Sequence, residues 1–148
     1  MKIKTFKGML PIGEQEKIHL STNDGLIGYK IKNFQIISST PGASTYELVG
    51  KIYLTDQSGK ITSTADLSES DLIAVAFQSF NSSTSSPGYL EPVIFDKETF
   101  NQDIFVYIVD VSGNTVPASF YLELEQMKLD LNASTYITVK NIRSRTQS

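Results

Sequence analysis

The sequence predicts an all-β protein, an antiparallel β-sandwich of jelly-roll type with about eight or nine strands. Three observations carry that expectation. Apolar and polar residues alternate over long stretches, as in Tyr46, Leu48, Gly50, Ile52 and Leu54 against Glu47, Val49, Lys51, Tyr53 and Thr55. That period of two places one set of side chains on each face of a strand. Turn signals recur at sandwich-like spacing, and one of them is repeated: Tyr53-Leu54-Thr55-Asp56-Gln57-Ser58-Gly59 returns as Tyr107-Ile108-Val109-Asp110-Val111-Ser112-Gly113. In each copy a strand runs into an Asp that accepts backbone hydrogen bonds and a Gly that takes positive φ, with a second strand expected beyond, so that the two copies read as hairpins in comparable positions. Finally, no stretch sustains a 3.6-residue period of helical length.

The elements follow in order. Within residues 1–13, Ile3 to Phe6 reads as a short edge strand or an N-terminal arm, broken at Pro11. Glu16 to Leu20 reads as a strand, and Asn23-Asp24-Gly25 as a hairpin-type turn. From Leu26 to Ser39, Tyr29 and Ile31 share one parity while Phe34 and Ile36 share the other. One extra residue near Lys32-Asn33 reconciles them, which predicts a β-bulge. Pro41-Gly42 marks a loop before the long strand from Tyr46 to Thr55, and a short strand is expected over Lys60 to Ser63. A single helical turn fits Asp66 to Asp71, and another fits Asp96 to Asn101. Leu72 to Phe80 and Asp103 to Val111 are apolar on both parities, as central, covered strands are. Between them, Asn81 to Gly88 is a Ser-rich loop, and Val93-Ile94-Phe95 a short strand. Ala118 to Met127 alternates again, Asn132-Ala133-Ser134 turns the chain, Thr135 to Ile142 closes the sandwich as a strand, and residues 143–148 form a flexible tail.

A chain of 148 residues fits one domain, residues 1–148, and can bury a sizeable core. No apolar run approaches the ~20 residues of a membrane span, so no membrane partner is expected. The basic opening Met1 to Lys7 has no apolar stretch behind it and does not read as a signal peptide. The chain has no cysteine, which excludes disulfides, thiolate metal ligation and a cysteine nucleophile. The net charge of −3 is unevenly spread: residues 61–127 hold ten acids and one base, Lys97, against twelve bases and six acids elsewhere. Lys2, Lys4 and Lys7 open the chain and Lys140, Arg143 and Arg145 close it, so termini lying together would make a basic patch suited to an acidic surface. Specific nucleic-acid reading is not expected from an acidic domain without a basic–aromatic motif.

Chemistry-bearing patterns are sparse. His19 is the only histidine and has no second His or Cys to share a metal. Carboxylates two apart occur at Glu69/Asp71, Asp96/Glu98 and Glu123/Glu125, a spacing that shares a strand face. Asp110-Val111-Ser112-Gly113-Asn114 alternates oxygen donors but lacks a later Glu, and reads as a turn with backbone bonds rather than a calcium loop. No phosphate loop, nucleophile elbow or H-E-x-x-H helix occurs. The site expectation is therefore no catalytic, cofactor-binding or metal-binding residue, no cofactor and no small-molecule substrate. Tyr89, Phe95 and Phe100 flank the Ser-rich loop, either as a platform for a sugar or a partner or as buried rings.

Two stretches carry a family resemblance. Lys4-Thr5-Phe6-Lys7-Gly8-Met9-Leu10-Pro11-Ile12-Gly13-Glu14-Gln15-Glu16, running into Gly28-Tyr29-Lys30-Ile31, resembles the opening of small proteins encoded in marine bacteriophage genomes. Phe95-Asp96-Lys97-Glu98-Thr99-Phe100-Asn101-Gln102-Asp103-Ile104-Phe105 resembles a later segment of the same proteins. The resemblance implies a non-enzymatic structural protein of the virion, capsid-associated (decoration) or part of the tail. Its expected partners are itself, as a homo-oligomer covering exposed edges and apolar faces, and other virion proteins. Its expected location is the virion, assembled in the host cytoplasm. The alternative is a carbohydrate-binding or adhesin-type sandwich module.

Overall fold

A computed structural model describes residues 2–147, with side chains through Ile142. Its elements are β1 (Lys2–Leu10), β2 (Gln15–Ile18), β3 (Ile27–Ser38), β4 (Tyr46–Tyr53), β5 (Leu72–Asn81), β6 (Ser86–Ile94), β7 (Ile104–Asp110), β8 (Ala118–Lys128) and α1 (Leu131–Gln147). The strands form two antiparallel sheets, ordered β1-β8-β3 and β2-β7-β4-β5-β6. The chain is an all-β sandwich, as the alternation predicts.

The pairing has a simple logic. β1 pairs with β8, β2 with β7 and β4 with β5, as if one long hairpin had been laid down and rolled into two layers. That nested order is the jelly roll's, apart from its remaining pair, β3 with β6. Here β6 stays on β5. It lies against β3 without a shared ladder. The smaller sheet therefore stops one strand short, and the larger sheet overhangs it.

Each inner face is the apolar parity of its strands. Leu48 and Ile52 of β4 and Val106 and Ile108 of β7 face Ile31, Phe34 and Ile36 of β3 and Phe120, Leu122 and Leu124 of β8 in one continuous core. The predicted bulge is present: the β3–β8 register shifts between Ile31 and Asn33, so Phe34 and Ile36 stay inside after the parity changes. Gly50 sits where the layers pack tightly, and a Cβ built there would lie 2.8 Å from Ile36 Cγ2.

Several expectations are corrected. Thr135 to Ile142 is not a closing strand; it lies inside α1, whose backbone also continues through residues 143–147 where a loose tail was expected. Ser148 lies outside the described residues. Asp130 caps α1, its Oδ1 accepting from Ala133 N at 2.7 Å. Asn132-Ala133-Ser134 is consequently the first turn of α1 rather than a chain reversal. The helix is fixed across the end of the sandwich by polar contacts: Asn101 Nδ2 donates to Gly25 O (3.0 Å) and Thr138 Oγ1 (2.7 Å), and Ser134 Oγ donates to Gly25 O (2.7 Å). Ile137 is the buried apolar anchor.

Residues 1–13 are no detached arm, since β1 pairs with β8 from Lys2↔Gln126 to Leu10↔Ala118. Lys60 to Ser63 forms no strand, and Asp66 to Asp71 no helix. The twin Asp-x-Ser-Gly turns have matching geometry: Asp56 Oδ1 accepts from Ser58 N at 2.8 Å and Asp110 Oδ1 from Ser112 N at 2.9 Å. Gly59 and Gly113 take φ of 77° and 85°. Neither turn closes a tight hairpin. The second leads from one sheet to the other, and the first opens the long connection between β4 and β5. The Asp24-Gly25 turn likewise joins strands of different sheets.

Candidate interaction surface

The outer face of the five-stranded sheet is divided in two. Over β4 and β7 it is roofed by the connection between β4 and β5, with Ile61 packed on Tyr53, Leu72 and Tyr107. Beneath the roof lies Lys51, an outward residue of β4 that is fully buried. Its Nζ stands 5.7 Å and 5.4 Å from the ring centres of Tyr53 and Tyr107, and donates to the Thr64 carbonyl. Tyr53 Oη donates to Glu69 Oε1 at 3.0 Å, and burial drives this phenol's pKa upward. Asp71 accepts from Thr55 Oγ1 and from Gln57 Nε2 where the roof rejoins the sheet. These groups hold a loop on a sheet. The Glu69/Asp71 pair is therefore divided between two local networks rather than facing a common ligand.

Over β5 and β6 there is no roof. A shallow hollow of about 240 Å3 opens there, walled by Val49, Leu67, Val75, Phe77, Leu90 and Val93. Leu67, Leu90 and Val93 are 51%, 64% and 42% exposed. Three large aliphatic side chains clustered in water mark a surface that gains by being covered.

The outer face of the three-stranded sheet is graded. At one end it is polar: Lys32 pairs with Glu125 at 3.6 Å, and Asn33 Nδ2 donates to Glu123 at 3.1 Å. The Glu123/Glu125 pair thus belongs to a solvated sheet face. At the other end the cross-strand rungs are Lys7–Tyr121–Gln35 and Met9–Ser119–Ile37. Here the overhanging sheet brings Gln78 of β5 and Tyr89 of β6 alongside, and a groove of about 600 Å3 results.

A third depression, of about 330 Å3, collects charged groups around Asp103. Asp103 Oδ1 accepts from Leu20 N at 2.8 Å and Ser21 N at 2.9 Å, and Lys17 Nζ lies 3.3 Å from Oδ2. Burial alone would raise this carboxyl's pKa, but the Ser21 and Leu20 N–H donors and Lys17 outweigh it and hold it well below the usual carboxylate range. His19 Nδ1 lies 3.3 Å from the same carboxylate with its ring largely exposed. The cluster ties β2 and its following loop to β7. Among the described residues no group of three or more His, Asp or Glu could hold a metal ion.

The sheet edges are defended. β1 carries Lys2, Lys4 and Lys7, β6 carries Pro87 and Pro92, and β2 is four residues long. Lysine, proline and brevity each discourage another strand from adding on. β3 is bridged to Phe100 at Tyr29, and its Ser38 N donates to Gln78 Oε1 at 3.1 Å. Association through these edges, which the sequence left open, is disfavoured against association through the exposed faces.

The three aromatic residues around the Ser-rich segment do not form one platform. Phe100 is buried and stacks on Tyr29, Phe95 is half-buried, and Tyr89 alone is exposed. That segment is also shorter than expected, because Ser86 to Gly88 already belong to β6. Asp96 opens a turn, and Glu98 accepts an ion pair from Lys140 of α1 at 2.7 Å. Arg143 and Arg145 have side chains outside the described set, so of the predicted basic patch only the lysines are placed. The groove at Tyr121 escaped the sequence reading because its walls come from five strands spread along the chain, β1, β3, β5, β6 and β8. The exposed position of Tyr121 on a polar strand face was its one local signal. No family profile and no curated protein matches the chain.

Proposed function

We propose that this chain is a non-enzymatic structural protein of a virus particle, working by packing against copies of itself and against neighbouring coat or tail proteins. The observation that supports it best is the uncovered hollow on β5 and β6, where Leu67, Leu90 and Val93 stand exposed beside defended edges. Among the described residues no element covers that face, whereas a symmetric neighbour would bury it. The nested strand order is also the architecture that viral coat proteins share with lectins.

The test is the mass of the intact protein in solution, by light scattering across a concentration series. A stable oligomer is expected, and Leu90→Glu with Val93→Glu should reduce it to monomer while leaving the β-sheet circular dichroism unchanged. A wild-type protein that stays monomeric at every concentration would remove self-association from the proposal. Mass spectrometry of purified particles tests the virion assignment, which fails if the chain is absent from them.

A further inference from the structure

We propose that the groove beside Tyr121 is a saccharide-binding site, with a preference for sugars that carry a carboxylate. The inference goes beyond self-association and uses a different surface.

The groove exists because the smaller sheet lacks a strand. The residue pairs place Tyr89 opposite Gln78 and Leu90 opposite Phe77, so Tyr89 and Leu90 leave β6 on opposite faces. Leu90 faces the apolar hollow. Tyr89 faces the three-stranded sheet, whose edge strand β3 shares no ladder with β6, and it remains 59% exposed at the groove wall. Across the opening, Tyr121 stands at the middle of its sheet and is 36% exposed. Two phenol rings thus border a space of about 600 Å3, within the roughly 300–1,000 Å3 range of small-molecule sites.

The polar groups are of the kind that reads hydroxyls. Gln35 flanks Tyr121 on one side and Lys7 on the other, and Ser119 lies one rung along. Gln78 is oriented, because its Oε1 is engaged by Ser38 N, and this leaves its amide N–H groups as donors. A pyranose ring has apolar C–H faces that suit an aromatic wall, and a girdle of hydroxyls that suits amide, hydroxyl and ammonium groups. Among the described residues Lys7 is the charged one that lines the groove. An acidic sugar that reaches Lys7 gains a charge-assisted bond that a neutral one does not.

The experiment uses the full chain against a glycan array holding neutral oligosaccharides and uronic-acid-containing ones, with hits measured by saturation-transfer NMR and tyrosine fluorescence. The chain has seven tyrosines and no tryptophan, so a groove tyrosine contributes a readable share of the emission. Saturable binding is expected, tighter for the acidic glycans. Tyr121→Ala and Tyr89→Ala should each weaken it at least tenfold. Lys7→Gln should lower the acidic-over-neutral preference at least fivefold, with little change for neutral sugars. Gln35→Ala, an exposed change with little bearing on folding, provides a second probe should Tyr121→Ala disturb the sheet. The proposal is overturned if neither glycan class binds, if the tyrosine variants bind as tightly as wild type, or if these variants change the oligomeric state instead, which would make the groove a contact between copies. Loss of glycan binding says nothing of the Leu90/Val93 surface, and the Leu90→Glu with Val93→Glu variant tests that surface by itself, so the two proposals fail separately.

Discussion

Replacing Gly50 with alanine is expected to destabilise the protein, because the opposite sheet leaves no room for a side chain there. The added Cβ would lie 2.8 Å from Ile36 Cγ2, 3.2 Å from Phe34 Cζ and 3.3 Å from Ile36 Cδ1. Carbon atoms prefer about 3.5–4.0 Å, so the nearest contact is short by roughly 0.7 Å or more. The Ile36 methyl is fixed to its Cβ and the Phe34 atom is the tip of a fully buried ring. Relief therefore needs a strained rotamer, at about 0.5–1.5 kcal/mol, or a shift of the whole layer. Overpacking of this kind costs about 1–3 kcal/mol, while removing a glycine from a strand returns about 0.5–1 kcal/mol of chain entropy. The net expectation for Gly50→Ala is a loss of about 1–2 kcal/mol, larger for Gly50→Val.

The mechanism has a sharper signature in a double-mutant cycle. Ile36→Ala alone leaves a cavity and should cost about 2–5 kcal/mol. With that side chain gone, most of the clash disappears, so the double variant should be more stable than the sum of the singles by about 1 kcal/mol or more. The assay is urea unfolding followed by circular dichroism, with an unchanged m-value as the check that the transition is comparable. A Gly50→Ala protein as stable as wild type, or single effects that add to within about 0.5 kcal/mol, would refute the reasoning.

Three other substitutions test the surrounding structure. Asp103→Asn should cost about 1–3 kcal/mol at neutral pH by weakening charge-assisted bonds from Leu20 and Ser21 N–H and the pair with Lys17. Because Asp103 has a folded-state pKa well below its unfolded value of about 3.9, its contribution is complete above that value, shrinks as pH falls below it and is lost as pH falls through the folded-state value. The stability gap between the two proteins should therefore narrow steadily below about pH 4, and a gap as wide at about pH 2 as at neutral pH would count against the assignment. Asn101→Ala removes the side chain that joins Gly25 to Thr138, and should cost about 1–3 kcal/mol with faster amide exchange in α1, an outcome contradicted by unchanged exchange there. Lys51→Ala should loosen the roof by emptying the space between Tyr53 and Tyr107, at about 2–4 kcal/mol, and trypsin should then cut after Lys60 sooner than in wild type.

What the sequence disclosed, and what it hid, follows from the range of each signal. The bulge near Lys32 was legible because the residues on either side of it are apolar on opposite parities, and only an inserted residue keeps both sets inside. The doubly apolar β7 was legible because one of its faces meets the other sheet and the other meets the roof. The helix was misread because Thr135, Tyr136, Ile137, Thr138 and Val139 are β-branched or aromatic, which favours a strand locally. It docks mainly through Ser134, Thr138 and Asn141, so no apolar stripe of period 3.6 advertised it. Asp130 just before the segment was the usable clue, as a capping residue. The repeated Asp-x-Ser-Gly turn was read correctly as local geometry and incorrectly as a hairpin, since a turn does not specify which strand comes next to it. The groove depends on a strand that is missing from one layer, and such an absence leaves no trace in alternation.

The zipper between β1 and β8 has a consequence for how the chain is made. Lys2 sits opposite Gln126, so β1 finds its permanent neighbour only after β2 to β7 have been made. Until then the three-stranded layer lacks its middle member, β8, which pairs with both β1 and β3. A nascent polypeptide halted on the ribosome before β8 emerges should leave β1 and β3 open to protease, and their protection should come late and slowly, as expected when closure joins strands far apart in sequence. Shortening β1 would accordingly impair an event that waits for β8, although it touches a strand made well before it.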